Sequence, residues 1–532
     1  MPSAYTYPGV YVEEIPSGVR TITGVSTSNT AFIDFFRRGP LDEATRITSF
    51  GDFERLFGGL DQRSEASYAI QQYYLNGGSI AWIVRVAANG RIASAPLNGG
   101  STGALTLTVE ASSPGIWGER LRVAVDHVTQ DPVGSFNLVV REVETVSGRE
   151  QVVNSETFRN LSMNQNDSRY APDVVNNASS LIRLTDESLG ELPASTGADV
   201  IANPQPGEFL AFSGGDDGDE PGSVPWNTGA GGALIQGKEP DKTGIFALDT
   251  IAPEIFNLMC VPAAALLPAD AARSVYAACT AYCRRQRAFL LIDIPAEQTQ
   301  TPANMMQWMK DNDKLRDDYA AVYFPSLEIP DKLNEFRPRG VGASGTLAGV
   351  YARTDASRGV WKAPAGTTDG TLRGVTLTVK ITDLENGGLN PFGINALRNF
   401  PVFGNVAWGA RTLDGADQKA SEWKYISIRR TALYIEESLY QGLKWVVFEP
   451  NDEPLWAQIR LNAGAFMNVL FRQGAFQGKT PREAYFVKCD KETTTQNDVD
   501  HGLVNILVGF APLKPAEFVV IKLQQMAGQI QT

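Results

Sequence analysis

The sequence predicts a multidomain protein of mixed α/β and α+β class, built around an α/β core with a mostly parallel sheet. Three observations predict it. Continuous apolar runs alternate with amphipathic ones across residues 23–90 and again across 239–370, as strands buried on both faces by helices require. Between them, residues 91–238 carry short alternating segments and polar turns, which read as a β-rich module inserted into that core. A third region, 371–512, mixes long helical patterns with short strands.

Taken in order, "YPGVYVEEI" at 7–15 is a strand signal, with Val10, Tyr11, Val12 and Ile15 as its strand formers behind a Pro-Gly turn. The segment that follows, 16–30, is loop-like and offers no hairpin partner, so this strand must pair far along the chain or with another chain. Residues 1–22 are therefore read as an arm. "TAFIDFF" and "SIAWIVRV" are strands and "FGDFERLFG" and "SEASYAIQQYYLNGG" are helices closed by Gly. In the inserted module, "RLRVAVDHV" and "SFNLVVREVE" are strands, and the Gly-, Pro- and Asp-rich stretch 207–244 is expected to be loop. The core resumes with strands "FNLMCVPA", "AFLLIDIP" and "YAAVYFPSLEI" around helices "PADAARSVYAACTAYCRR" and "PANMMQWMKDNDKLR". Past 371, "GVTLTVKI", "WKYISIRR", "KWVVFEP", "EAYFVKCD" and "GLVNILVGFAP" are expected strands, and "ALYIEESLYQGL" and "PLWAQIRLNAGAFMNVLFRQG" expected helices. The chain ends, over 513–532, in a second arm whose strand "EFVVIKLQQ" includes Phe518, Val519, Val520 and Ile521 and again lacks a local partner.

With 43% hydrophobic and 20% charged residues, the 532-residue chain has ordinary globular usage and no apolar run long enough for a membrane span. Its start lacks the basic and apolar regions of a signal peptide, which predicts a cytosolic place of synthesis. A net charge of −13 speaks against a nucleic-acid groove. The four cysteines, Cys260, Cys279, Cys283 and Cys489, are too few and scattered for a disulfide framework; Cys279 and Cys283, four apart on a helix, lack further metal ligands and read as small buried apolar residues.

Few residues offer chemistry. His127 and His501 are the only histidines, and neither lies near a nucleophile in sequence, so acid–base or triad catalysis has little to work with. "GVGASG" at 340–345 matches G-x-G-x-x-G, and a nucleotide-dependent α/β enzyme is the alternative reading it supports; but the expected strand ends near Ile329, not directly before it, and close helix packing is the competing use. No Walker-type loop is present. "GGDDGDE", with Asp216, Asp217 and Asp219, lacks EF-hand spacing and reads as a solvated acidic loop, and "RRQR" at 284–287 as a helix end complementing its dipole. No cofactor and no metal site are expected.

Several long segments resemble, in family order, the contractile tail sheath proteins of bacteriophages, R-type bacteriocins and related injection systems. They are "YPGVYVEEI", "AFIDFFRRGPLDEATRITSFGDFERLFGG", "TLAGVYARTDASRGVWKAPAG", "LNPFGINALRNFPVFGNVAWGARTL", "WKYISIRRTALYIEESLYQGLKWVVFEPNDEPLWAQI", "TPREAYFVKCD" and "PAEFVVIKLQQ". The likeness covers the chain except the β-rich module. It implies a non-enzymatic structural subunit whose two arms donate strands to neighbours by β-augmentation, with residues 16–29 and 509–516 as hinges, and whose inserted module decorates the outer surface. It further implies a helical homo-oligomer of stacked hexameric rings around an inner tube, with baseplate and terminator or cap proteins as partners and no nucleic-acid or membrane partner. Assembly in the bacterial cytoplasm would precede residence in the particle, where contraction drives the tube through a target envelope. By the same resemblance the helix near 454–474 faces the tube, with Arg460 and Arg472 as its candidate contacts. A tail-tube subunit is the third reading; its typical small β-barrel does not suit this length or an α/β core.

Overall fold

The computed structural model describes residues 20–146, 148–187 and 190–522; Val10, Tyr11, Val12 and Ile15 lie outside them. The chain forms two compact units, Ser26–Arg429 and a second that joins the segment ending at Val25 to Arg430 and beyond.

The larger unit starts with strand β1 (Thr30–Asp34), β2 (Thr45–Ile47), helices α1 (Phe50–Phe57) and α2 (Glu65–Asn76), and β3 (Ala81–Arg85). Each helix is punctuated as the sequence predicts. Ser49 and Ser64 accept from the amides of Asp52 and Ser67, and Gly58 (φ 89°) and Gly77 (φ 117°) end the helices in the left-handed conformation that side chains disfavour. The chain then leaves to build an inserted domain from β4 (Ser94–Asn98), β5 (Leu105–Ala111), β6 (Leu121–Asp126), β7 (Phe136–Val146), β8 (Arg149–Leu161), helix α3 (Ala171–Ala178), β9 (Ile182–Asp186) and β10 (Leu210–Ala211). Two sheets, β4-β5-β9 and β10-β6-β7-β8, enclose a core of their own that includes Leu107, Trp117, Val123, Phe136 and Leu138.

Back in the core come α4 (Gly231–Gln236), β11 (Leu258–Cys260), α5 (Ala269–Gln286), β12 (Phe289–Ile292), α6 (Pro302–Asp311), β13 (Ala320–Phe324), β14 (Leu327–Asp331), β15 (Arg337–Val341), α7 (Ser344–Arg358), β16 (Thr376–Leu377), α8 (Asp383–Leu389), β17 (Asn395–Phe400) and β18 (Gly404–Ala407). The central sheet has the order β18-β17-β13-β12-β11-β1-β3-β2. Strands β17 to β3 in that order run parallel, while β18 and β2 close the two edges antiparallel. β1, β3, β12 and β13 are buried along their whole length, which is why they read as unbroken apolar runs.

Three expectations need correction. The sheet does not end before residue 371, because β17 pairs with β13 (Tyr323 with Asn395, Phe324 with Ala396). The strand expected at 374–381 shrinks to the two residues of β16. The stretch 207–244 is not all loop: it contributes β10 and α4, and Trp226 and Ile235 are buried in the core, with Trp226 meeting Phe35 edge-on at 6.5 Å.

The last point redraws where the inserted domain can be cut. Replacing residues 91–217 by a short Gly/Ser linker is expected to leave the core folded, since Arg91 and Asp216 are bridged neighbours and the cut removes no residue of the core's apolar cluster. Extending the cut to 238 removes Trp226 and is expected to cost at least the ~3–5 kcal/mol typical of losing a buried large aromatic side chain. Calorimetry of the two deletions decides it; equal melting temperatures would reject this boundary.

Candidate functional site

In an open α/β sheet a ligand crevice forms at the carboxyl ends of the strands where the order reverses, here between β1 and β11. That place is filled. Asp34, the last residue of β1, accepts the Phe35 amide at 2.7 Å, the Ala66 amide at 2.7 Å and the Ser64 hydroxyl at 3.2 Å, so it caps the start of α2. Asp293, immediately after β12, accepts the Ser344 amide at 2.8 Å and the Ser344 hydroxyl, so it caps α7. "GVGASG" does follow a strand directly, which the sequence reading missed, but that strand is β15 of a separate antiparallel sheet, β15-β14-β16. Two of its three glycines are spent on packing: a Cβ at Gly342 would fall 2.4 Å from the Asp293 carboxyl carbon and one at Gly345 2.2 Å from the Ala69 carbonyl oxygen, and one turn on, beyond the motif, a Cβ at Gly349 would fall 2.5 Å from the Tyr73 carbonyl oxygen. The motif seats α7 directly on α2.

Burying these carboxylates has a cost that pH reveals. Desolvation pushes Asp34 from 3.8 up to about 7 and Asp293 up to about 6, outweighing the hydrogen bonds that favour their charged forms. Burial raises Glu65 as well, against the lowering influence of its Arg339 partner. The folded core thus keeps protons that the unfolded chain has released. This contribution to stability is fully present below pH 3.8 and is lost as pH rises to about 7. Each unit of separation is worth about 1.4 kcal/mol. The melting temperature is expected to fall across that window and to fall less in Asp34→Asn; parallel pH profiles for the two proteins would refute the assignment.

The remaining candidates are likewise structural. Nε2 of His127 lies 2.9 Å from the Pro193 carbonyl oxygen and Nδ1 of His501 2.7 Å from that of Asn497, so each ring is engaged with a backbone carbonyl. All four cysteines are free and buried. Asp216, Asp217 and Asp219 pair with Arg91, Arg63 and Asn89, and among the described residues no group of His, Cys, Asp and Glu could hold a metal ion. Arg284 pairs with Asp317 and Asp318, Arg285 with Glu239 and Asp249, and Arg287 is the left-handed cap of α5.

The smaller unit presents surfaces instead. Helix α9 (Ile426–Gly442) carries the chain into it, followed by α10 (Glu453–Arg472), α11 (Pro481–Ala484), β19 (Tyr485–Lys488), α12 (Gln496–Asp500) and β20 (Leu507–Phe510). Two expected strands are absent: 423–430 supplies the first turn of α9, and 444–450 is a short 3-10 turn followed by a loop in which Phe448 has φ 71° and is fully exposed. Residues 20–25 lie along α9 and α10. The Arg20 amide donates to Asn462 Oδ1 at 3.0 Å, the Arg20 guanidinium covers Trp445 at 4.5 Å, Ile22 is buried against Gly442, and the Val25 amide donates to Ser438 at 3.2 Å. The stretch proposed as a hinge is therefore pinned from Arg20 onward.

α10 is capped by Asp452 and has a Pro in its first turn. Ile459, Ala463, Phe466, Met467 and Leu470 form its buried face. The opposite face is almost uncharged, Ala457, Gln458, Leu461, Ala465 and Val469, and ends at exposed Arg472. Arg460 is engaged internally, with the Cys489 carbonyl and with Glu453 at 2.6 Å. β19 and β20 pair antiparallel as a two-stranded sheet that no third strand joins among the described residues, leaving each strand an outer edge. Beyond it, 513–522 has no regular structure, and Phe518, Val519, Val520 and Ile521 are 78%, 81%, 78% and 77% exposed. Four consecutive large apolar side chains in water mark an interaction segment.

No helix is long and apolar enough to cross a membrane among the described residues. Residues 418–525 match the phage tail sheath C-terminal domain. The chain is 27% identical over 217 residues to the tail sheath protein of Vibrio phage KVP40, a match covering 40% of this chain and 31% of that protein. It is 25% identical over 199 residues to a putative prophage major tail sheath protein of Pseudomonas aeruginosa, covering 36% of this chain and 48% of that one. The matches thus span a third to a half of those relatives. Its fold matches a sheath subunit of the extracellular contractile injection system PVC, solved as a sheath complex in the contracted state (TM-score 0.57, 20% identity, 98% of both chains), and the sheath tail protein of Listeria innocua (TM-score 0.58, 14% identity, 93% of this chain and 96% of that one). The chain thus matches a tail sheath C-terminal domain over 418–525, is similar to tail sheath proteins over part of their length, and shares the fold of sheath proteins along nearly all of its own.

Proposed function

We propose that this protein is the structural, non-enzymatic subunit of a contractile sheath. It polymerises helically as stacked hexameric rings around an inner tube and contracts against a baseplate to drive that tube through a cell envelope. Assembly takes place in the bacterial cytoplasm, and a terminator or cap protein closes the far end. The observation that carries this reading is the exposed apolar segment Phe518–Ile521 beside a sheet of only two strands. An extended arm from a neighbour would satisfy the bare edge with backbone hydrogen bonds and bury its own apolar residues. Val10, Tyr11, Val12 and Ile15 are assigned the same use at the other terminus. Negative-stain microscopy of concentrated protein tests the reading: tubes or ring stacks are expected, and discrete particles under every assembly condition would overturn it.

The tube contact is assigned to the exposed face of α10. A smooth row of Ala457, Leu461, Ala465 and Val469 suits close approach of a partner, and Arg472 supplies the charge for an acidic group on the tube. Arg460, tied to Cys489 and Glu453, fixes the helix and contacts the tube only if those bonds are exchanged. Arg472→Glu alone alters a pair worth about 0.2–1 kcal/mol. Leu461→Asp with Val469→Asp forfeits about 1.5–3 kcal/mol of burial per side chain. The expected result is subunits that melt normally but co-sediment poorly with tubes; undiminished co-sedimentation would move the contact elsewhere.

A further inference from the structure

We propose that the inserted domain is held against the core by an arginine clasp that opens without unfolding either domain, so that the domain pivots on the two-stranded ribbon through which the chain enters and leaves it. The two apolar cores share no residue: that of the larger domain stops at Ala87 and resumes at Trp226, and that of the inserted domain runs from Ala93 to Phe212. The crossing segments pair with each other. Arg91 and Asp216 exchange both backbone hydrogen bonds at 3.0 Å, Ser94 and Ser213 do the same at 3.0 Å, and the Asp219 amide reaches the Ala88 carbonyl at 2.9 Å. Gly218 (φ +76°) makes the tight approach possible, since a Cβ there would lie 2.0 Å from the Ala88 oxygen. The ribbon is thus a defined axis rather than a slack tether.

Polar groups hold the domain in place about that axis. Arg38 donates to both carboxylate oxygens of Glu142 at 3.0 Å and lies over the Trp117 ring at 5.6 Å. Arg63 binds Asp217 at 2.9 Å, which in turn accepts the Ile116 amide of the inserted domain at 2.8 Å, and Arg85 donates to the Pro114 carbonyl at 2.9 Å. Beside these bonds lies an open cleft of about 600 Å³ lined by Arg63, Trp117, Arg120 and Asp217. Contacts of this kind exchange for water at a small net loss, whereas an apolar interface does not. In a sheath such a domain could be re-seated on a new neighbour while both cores stay intact; the inference itself concerns the isolated subunit and does not depend on assembly.

Spin labels at Val133→Cys, on an exposed loop of the inserted domain, and at Asn304→Cys, on exposed α6, report the angle as a distance, and the four native cysteines are buried. One narrow distance distribution is expected in the labelled parent. Adding Glu142→Ala and Asp217→Ala is expected to introduce a second, longer component with cooperative melting retained. A single narrow distribution in the clasp variant would overturn the proposal. So would loss of cooperative melting in the variant, since the cores would then depend on the clasp.

Discussion

Subunits lacking residues 515–532 are expected to stay folded and to form no tubes. In the described part of that segment Phe518 through Ile521 are between 77% and 81% exposed, so removing these four side chains takes little packing from the subunit. In an assembly the same four side chains are worth about 1.5–3 kcal/mol each when fully buried, before any backbone hydrogen bonds to β19 or β20 are counted. A loss of that size at every subunit contact is far larger than a surface ion pair, and it repeats along the whole helix. Thermal melting and negative-stain microscopy of the truncated protein measure the two halves of the expectation separately. A lowered melting temperature would mean that the arm folds back on its own subunit, and normal tubes would mean that assembly rests on other surfaces. Deleting residues 1–16 is expected to act in the same way.

How much of this was legible follows from the range of the interactions involved. The buried parallel strands and the Gly-closed helices are written locally, as runs of Ala, Val, Ile and Phe with Gly58 and Gly77 behind them. The start of α9 misleads because Ile426 through Leu433 is buried on every side, including Arg429 and Arg430, so no helical stripe shows. Residues 444–450 mislead in the opposite sense, for Val447 and Phe448 are apolar yet exposed. β17 escapes notice because its place in the sheet is set by pairing with β13, some seventy residues earlier in the chain. The strand reading of the arms rests on the sequence alone, since Val10 to Ile15 lie outside the described residues and 517–522 has no regular structure. Nothing in the sequence alone marks Arg460 as internally bonded while Arg472 is free to face outward; the signal is the 3.6-residue phase of α10, and it needs the buried face to be known first.

The strongest effect on the subunit itself is expected at Gly345. A methyl group there would lie 2.2 Å from the Ala69 carbonyl oxygen and 2.6 Å from its carbonyl carbon and Cα, all backbone atoms that cannot rotate aside. The only relief is to move α7 away from α2. That displacement disturbs the Asp293 cap on Ser344 and the Asp34 cap on Ala66, and it strains Tyr73, whose ring packs on Phe32 at 5.6 Å and whose carbonyl faces Gly349. Overpacking commonly costs about 1–3 kcal/mol. Because two buried carboxylates lose amide partners as well, Gly345→Ala is expected at or above the top of that range and Gly345→Val to give insoluble protein. Gly464→Ala is the matched control: it sits mid-helix in α10 with nothing within 4 Å of the added carbon, and is expected to stabilise by about 0.4–1 kcal/mol. If Gly345→Ala melts like the parent, α2 and α7 can separate at little cost.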